Sequence, residues 1–162
     1  MGKILEDPFI DDLIKEEKFL PERFNKISKM KSKSMRQHKE KLIRISGTSN
    51  NYCIVIRKNI LDPLDFSIIL RYEDPSGSSY NIVRYNGKHM HRNKLECESF
   101  RGFHIHRATE RYQRNGYSIE TYATPTNKYS SFEEAWSAFI NDLNISMPRP
   151  PNTPDILRYG GE

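Results

Sequence analysis

Between Leu42 and Ala108, in stretches separated by turns and by a polar segment, apolar residues return at every second position, and this period constrains the fold more than any other feature of the chain. Successive side chains of an extended strand point to opposite faces, so a two-residue repeat builds sheet rather than helix. Leu42 to Ser46 alternates. Tyr52, Ile54 and Ile56 interleave with Cys53, Val55 and Arg57, the pattern of a mostly buried strand in which Cys53 serves as a small core residue. Phe66, Ile68, Leu70 and Tyr72 alternate with Ser67, Ile69 and Arg71. Asp74-Pro75-Ser76-Gly77 is a turn signal, and Tyr80 to Tyr85 returns as the partner strand. Asn86-Gly87 is a tight-turn dipeptide that predicts the end of this strand. Residues 88–100 are polar and show no period. Phe103 to Ala108 predicts a further strand, and Ile119 to Ala123 an edge strand.

Helical signals flank this meander. Asp7-Pro8 reads as a cap followed by proline at the first helical position, with Phe9, Ile10, Leu13 and Ile14 making an apolar stripe before Leu20-Pro21. Arg107 to Gly116 fits either a short helix capped by Gly116 or a loop. Ser131 and Glu134 have capping-box spacing, and Phe132, Ala135, Trp136, Phe139, Ile140 and Leu143 follow at helical intervals. The expected fold class is α+β: a mostly antiparallel four- to five-stranded sheet, a C-terminal amphipathic helix on one face and a short N-terminal helix. The expected divisions are an N-terminal helix and basic segment over 1–40, a core domain over 41–145 and a Pro-rich extended tail over 146–162.

Two cysteines, Cys53 and Cys97, are too few for a disulfide scaffold. No apolar run is long enough to cross a bilayer, and MGKILEDPFIDD lacks a signal-peptide core, so the expectation is a cytoplasmic protein with no membrane partner. The net charge of +5 is unevenly spread. Residues 26–44 hold eight Lys and Arg side chains against Glu40 alone. Lys29, Lys31, Lys33, Arg36 and Lys39, together with Arg107, are the expected nucleic-acid contacts, since such a run binds phosphates by releasing counterions. A solvated basic linker has the same composition.

Four of the five histidines form two His-x-His pairs, His89/His91 and His104/His106. On a strand, residues two apart share a face, so His104 and His106 present two imidazoles side by side, with Phe103 and Ile105 turned the other way. Arg84 alternates against Val83 and Tyr85 and is expected on the histidine face. Three chemistries suit this group. Metal-free phosphodiester cleavage needs a base, an acid and a cation on the phosphate: His104 and His106, with Arg84 or Arg107, and Tyr112 or Glu110 as accessory. A divalent metal could instead sit on His104 and His106 with His89 or His91, completed by Glu96, Glu98 or Glu110. The third reading is non-enzymatic, an inhibitor or regulator that binds a protein or nucleic-acid partner.

RYNGKHMHRN at 84–93, FHIHRATERYQRNG at 103–116 and YATPTNKYSSFEEAW at 122–136 resemble a family of uncharacterised bacterial and phage-associated proteins. Asp62-Pro63-Leu64-Asp65-Phe66 extends the likeness, which spans 38–143. At a looser level the arrangement is similar to TumE-like toxins of toxin–antitoxin systems, through Arg84, Tyr85, Asn86, His89, His91, His104 and His106. The chain departs from them in its longer N-terminal extension and in Phe103-His104, where they carry a His-His pair. This resemblance implies a bacterial or phage conflict protein acting on RNA or translation, with an antitoxin or other protein partner. The resulting expectation is a toxin-like, histidine-dependent ribonuclease without a cofactor, the divalent metal belonging to the alternative reading.

Overall fold

The computed structural model describes residues 2–21, 31–32 and 38–147. Along the chain these form α1 (Asp7–Lys15), β1 (Lys18–Phe19), β2 (Lys31–Ser32), β3 (His38–Gly47), β4 (Asn51–Asn59), β5 (Phe66–Glu73), β6 (Ser79–Asn93), β7 (Glu98–Arg107), α2 (Glu110–Arg114), β8 (Ala123–Pro125), α3 (Phe132–Asp142) and β9 (Ile145–Ser146). All nine strands belong to one sheet, eight of them in the order β8-β7-β6-β5-β4-β3-β1-β9, with β2 added beside β3. The sheet curls into a half-barrel, and strand outweighs helix. No described helix is long and apolar enough to cross a membrane. Lys29, Lys33, Arg36 and the 148–162 tail lie outside the described residues.

This overturns the expected four- to five-stranded, mostly antiparallel α+β sheet. The sheet is wider and it is mixed, because β1 runs parallel to β9, pairing Lys18 with Ile145 and Phe19 with Ser146. Both added strands are two residues long, too short to carry a readable period. The remaining surprise is the length of β6. Asn86-Gly87 does not turn the chain. The strand runs on to Asn93 and returns as β7, so residues 88–100 form the end of a long hairpin rather than a loop, tied back to β8 through Asn93 and to α2 through Leu95. Its polar sequence has no apolar face to announce it.

One face of the sheet carries the main core. Ile54, Ile56, Ile68, Leu70, Val83 and Tyr85 are all buried there together with Leu5, Ile10 and Leu13 from the N-terminal segment and Phe132, Ala135 and Phe139 from α3. The N-terminal residues thus share a single apolar cluster with the sheet, and β3 itself spans the expected boundary at residue 40. Capping follows local chemistry. Ser131 Oγ accepts from Glu134 N at 3.1 Å, and Thr109 Oγ1 accepts from Tyr112 N at 3.2 Å, starting α3 and α2. Asp7 Oδ1 accepts from Glu110 N at 2.9 Å, tying the start of α1 to the start of α2.

The other face is polar, and the register sets what shares it. Arg84 lies directly across from His106, and Asn86 across from His104. Between Asn86 and His89 the pairing shifts by a bulge at Gly87-Lys88. The extra residue reverses the parity of the strand, so Asn86, His89, His91 and Asn93 come to one side. Gly87 is the residue that permits this. A Cβ at Gly87 would overlap the Leu64 carbonyl oxygen and crowd the Phe66 amide, both backbone, while Lys88 N donates to that same Leu64 oxygen at 2.8 Å. Gly87→Ala is therefore expected to cost about 2–3 kcal/mol of stability, because backbone on both sides has to shift. Urea unfolding checks it, and an unchanged midpoint would mean that the close approach is unimportant.

Candidate metal centre

The polar face gathers all four paired histidines. The His104 ring is 5.0 Å from the ring of His106, 5.5 Å from His91 and 4.9 Å from His89, centroid to centroid, and His91 is 4.6 Å from His106. One ring nitrogen from each of His91, His104 and His106 lies within 4.8 Å of the others. These three could hold a metal ion. His104 is fully buried and His106 nearly so, while His91 is half-buried and keeps the group open on the hairpin side. Phe100 closes against His91 and His104, its ring 5.6 Å and 5.4 Å away.

Oxygen acceptors set the tautomer of each ring. His104 Nδ1 is 2.8 Å from the Gly102 carbonyl oxygen, and His106 Nδ1 is 2.8 Å from that of Glu120. A carbonyl oxygen only accepts, so both Nδ1 atoms carry the proton and both Nε2 atoms keep a lone pair. His91 Nε2 is 3.0 Å from Asn93 Oδ1. That amide is itself oriented by β8, its Nδ2 donating to Ala123 O at 2.7 Å and its Oδ1 accepting from Ala123 N at 2.9 Å. Asn93 therefore presents an acceptor and His91 donates from Nε2, which leaves Nδ1 with the lone pair. Burial pushes His104 down to about 4 and His106 down to about 3, against the weaker opposing pull of the carbonyls. Both are neutral imidazoles at neutral pH.

One competing bond remains. Asn86 Nδ2 approaches His104 Nε2 at 3.3 Å, and Ser67 Oγ holds Asn86 Oδ1 at 2.8 Å. At 3.3 Å this is the weakest contact in the group, and the lone pair it takes is the one a metal would claim.

Arg84 is next to the triad. Its Nη2 donates to Glu120 Oε1 at 3.0 Å, which also accepts from Asn81 Nδ2 at 3.2 Å. Arg84 Nε is buried and has no hydrogen-bond partner, alone in this among the buried side-chain polar atoms of the described residues. Burial pulls this guanidinium below its ordinary value, partly offset by Glu120.

The structure divides the other candidates. His89 packs edge-on against His104 but lies outside the three-nitrogen group. Tyr112 is fully buried away from it: its hydroxyl donates to the Glu96 carboxylate and accepts from Leu95 N at 3.2 Å, and its ring packs on Tyr117 and Tyr122. Glu96 is held by Tyr112 and Arg111, and Glu110 by Arg114 at 2.8 Å, so neither joins the imidazoles; Glu98 is exposed. Arg107 is exposed, pairs with Asp11 and follows His106 by one residue, so it leaves the sheet on the core side. Lys39 is exposed on β3, and Lys31 lies on β2 against Glu40. Asn93 and Glu120 are not marked in the sequence, because nothing local announces a hydrogen-bond partner supplied by a distant segment; Asn86 stands there only as a turn residue and as a position shared with the TumE-like toxins. No curated protein and no solved structure matches this chain. One family model does, over residues 5–145, a span that takes in the buried N-terminal segment, the whole hairpin and all three imidazoles: the chain belongs to DUF6978, a family of unknown function.

Proposed function

We propose that this protein is a metal-dependent hydrolase whose centre is His91, His104 and His106. The observation that carries this reading is the direction of the three imidazoles. Each sets one ring nitrogen against an oxygen, which leaves the other with its lone pair, and the three rings offer nitrogens within 4.8 Å of one another. Metal-binding histidines are held in this way, the outer acceptor fixing the tautomer and raising the basicity of the ligand nitrogen. Three imidazoles with no fourth side chain in the group among the described residues leave a coordination position for water, as in catalytic rather than structural zinc sites. A bound metal would supply a Lewis acid and a hydroxide-like nucleophile near neutral pH.

The scale of the fit is reasonable. Bonds of about 2.0–2.1 Å at tetrahedral angles put ligand nitrogens roughly 3.3 Å apart. The three nitrogens lie within 4.8 Å of one another, so only small ring movements separate them from that spacing. A metal-free ribonuclease built on the same two strand histidines fits less well. Its acid would have to be an imidazolium, and this pocket favours the neutral form of both His104 and His106.

Titration of the metal-free chain with Co²⁺ tests the proposal. The expected result is one equivalent bound, with the visible bands of a tetrahedral nitrogen site, displaced by Zn²⁺, and a raised melting temperature for the loaded protein. Absence of binding at millimolar Co²⁺ and Zn²⁺ would overturn it.

A further inference from the structure

We propose that Arg71 and Arg84, with Arg57 beside them, form an anion site for the phosphoryl group of a phosphate-ester substrate, set next to the histidine triad. This deepens the hydrolase reading and rests on it for the chemistry, but not for the binding.

The register of the sheet makes the placement. Three rows cross the polar face. One runs Arg57, Ser67, Asn86, His104; the next runs Val55, Ile69, Arg84, His106; the third runs Cys53, Arg71, Asn81. Arg84 is thus the direct cross-strand neighbour of His106, with Cβ atoms about 4.5–5.5 Å apart. Arg57 and Arg71 stand in the flanking rows, close enough for each to repel the Arg84 charge. Val55 and Ile69 are fully buried between these rows and with Cys53 form a second small apolar cluster. The arginines therefore rise from a packed floor rather than from a mobile surface.

Two of the three cations have a carboxylate partner and one does not. Arg57 Nε pairs with Glu40 at 2.7 Å, and Arg84 Nη2 with Glu120 at 3.0 Å. Arg71 has the neutral Asn81 amide at 3.1 Å, and no ion pair is seen for it among the described residues. Arg84 also leaves its buried Nε without an acceptor. An unsatisfied buried donor on a cation is costly, and in native proteins such a group calls for an explanation. That donor is sealed from solvent, so a tetrahedral oxyanion would engage the outer nitrogens of Arg84 and Arg71. It offers several acceptor oxygens to a set of guanidiniums whose planar forks match its edges. A carboxylate has two oxygens, enough for one fork; a phosphoryl group can bridge Arg71 and Arg84 and still direct an ester bond at the adjacent imidazoles.

Inorganic phosphate is the probe, titrated calorimetrically into the full metal-free chain and into the zinc-loaded chain. Arg71→Gln is the leading variant because it strands no carboxylate; Arg84→Lys keeps the charge opposite Glu120 and removes the fork. The expected result is saturable phosphate binding by the parent chain, weakened at least tenfold by either substitution, with Co²⁺ uptake unchanged. The zinc-loaded parent should then cleave an activated phosphodiester or phosphomonoester, the two substrates separating a nucleic-acid source of the phosphate from a small-molecule one. Phosphate bound by a chain that takes up no metal would support the anion site while removing the hydrolase reading. Metal uptake without phosphate binding, or equal phosphate affinity in Arg71→Gln, would overturn the anion site and leave the metal centre standing.

Discussion

His106→Ala is expected to weaken zinc binding about a hundredfold. Zinc sites with four protein ligands are worth about 10–16 kcal/mol, roughly 3 kcal/mol for each ligand, and loss of one from a three-ligand site should cost at least that much. His106 is the most informative of the three. Its Nδ1 is held by Glu120 O at 2.8 Å, and no other hydrogen bond of its side chain is seen among the described residues. Competition against a chelator of known affinity measures the change, with circular dichroism confirming that the sheet persists. Two comparisons sharpen it. Asn93→Leu leaves the ligand in place but frees the His91 ring, and a loss of about 10–100-fold is the usual effect of removing an outer partner. His89→Ala removes a ring that touches His104 without belonging to the three-nitrogen group, and should leave affinity within a few-fold. Equal affinity for the parent and His106→Ala would show that zinc binds elsewhere.

The second large effect is expected on stability, at Lys18. Its side chain is 0% exposed. Its Nζ donates to the carbonyl oxygens of Ile14 at 3.1 Å, Glu16 at 2.8 Å and Leu143 at 2.9 Å, and sits 5.1 Å from the centre of the Tyr52 ring. One ammonium thus caps the carboxyl ends of both α1 and α3, where helix carbonyls lack partners and the dipole favours a cation. Burial lowers the Lys18 amine to about 8, with nearby Glu16 opposing the shift. Lys18→Met relieves the cost of burying that charge, about 3 kcal/mol at neutral pH, but strands three acceptors at about 1–3 kcal/mol each. The stranded acceptors win, and a net loss of about 2–4 kcal/mol follows.

The pH dependence has a definite sign. Between about pH 8 and pH 10.5 the folded chain has released the Lys18 proton and the unfolded chain still binds it. Stability rises with pH wherever the unfolded state holds more protons. The Lys18 contribution should therefore grow by about 2.5 kcal/mol between pH 7 and pH 10. Buried Cys53 and the buried tyrosines are all shifted upward by burial and oppose this trend in absolute stability. They titrate alike in parent and variant, so the difference between the two unfolding curves isolates Lys18. A difference that stays flat with pH would mean that the amine is not buried as a titrating group.

Much of the centre could be read from the chain. The alternation through Tyr52–Arg57 and Phe66–Tyr72 marks β4 and β5, and a two-residue spacing puts His104 and His106 on one face because that is a property of any strand. Ser131 and the apolar spacing after it mark α3, since capping and a helical stripe are also local. The width of the sheet was not legible. Lys18-Phe19 and Ile145-Ser146 are too short to show a period; the first becomes a strand by pairing with β3 and β9, the second by pairing with β1.

The sequence by itself determined where strand alternates with turn and that two imidazoles project together, because both follow from the geometry of neighbouring residues. Tertiary structure alone decided that His91 joins them. It did so through the bulge at Gly87-Lys88, which depends on the close approach of the Leu64 carbonyl and reverses the parity of everything after it. It also decided which nitrogen each ring keeps free, because the acceptors come from Gly102, Glu120 and Asn93, and only the last of these is oriented by a strand thirty residues away. Proximity across strands and the burial that goes with it are properties of the folded chain, so the chemistry of the centre had to wait for the fold.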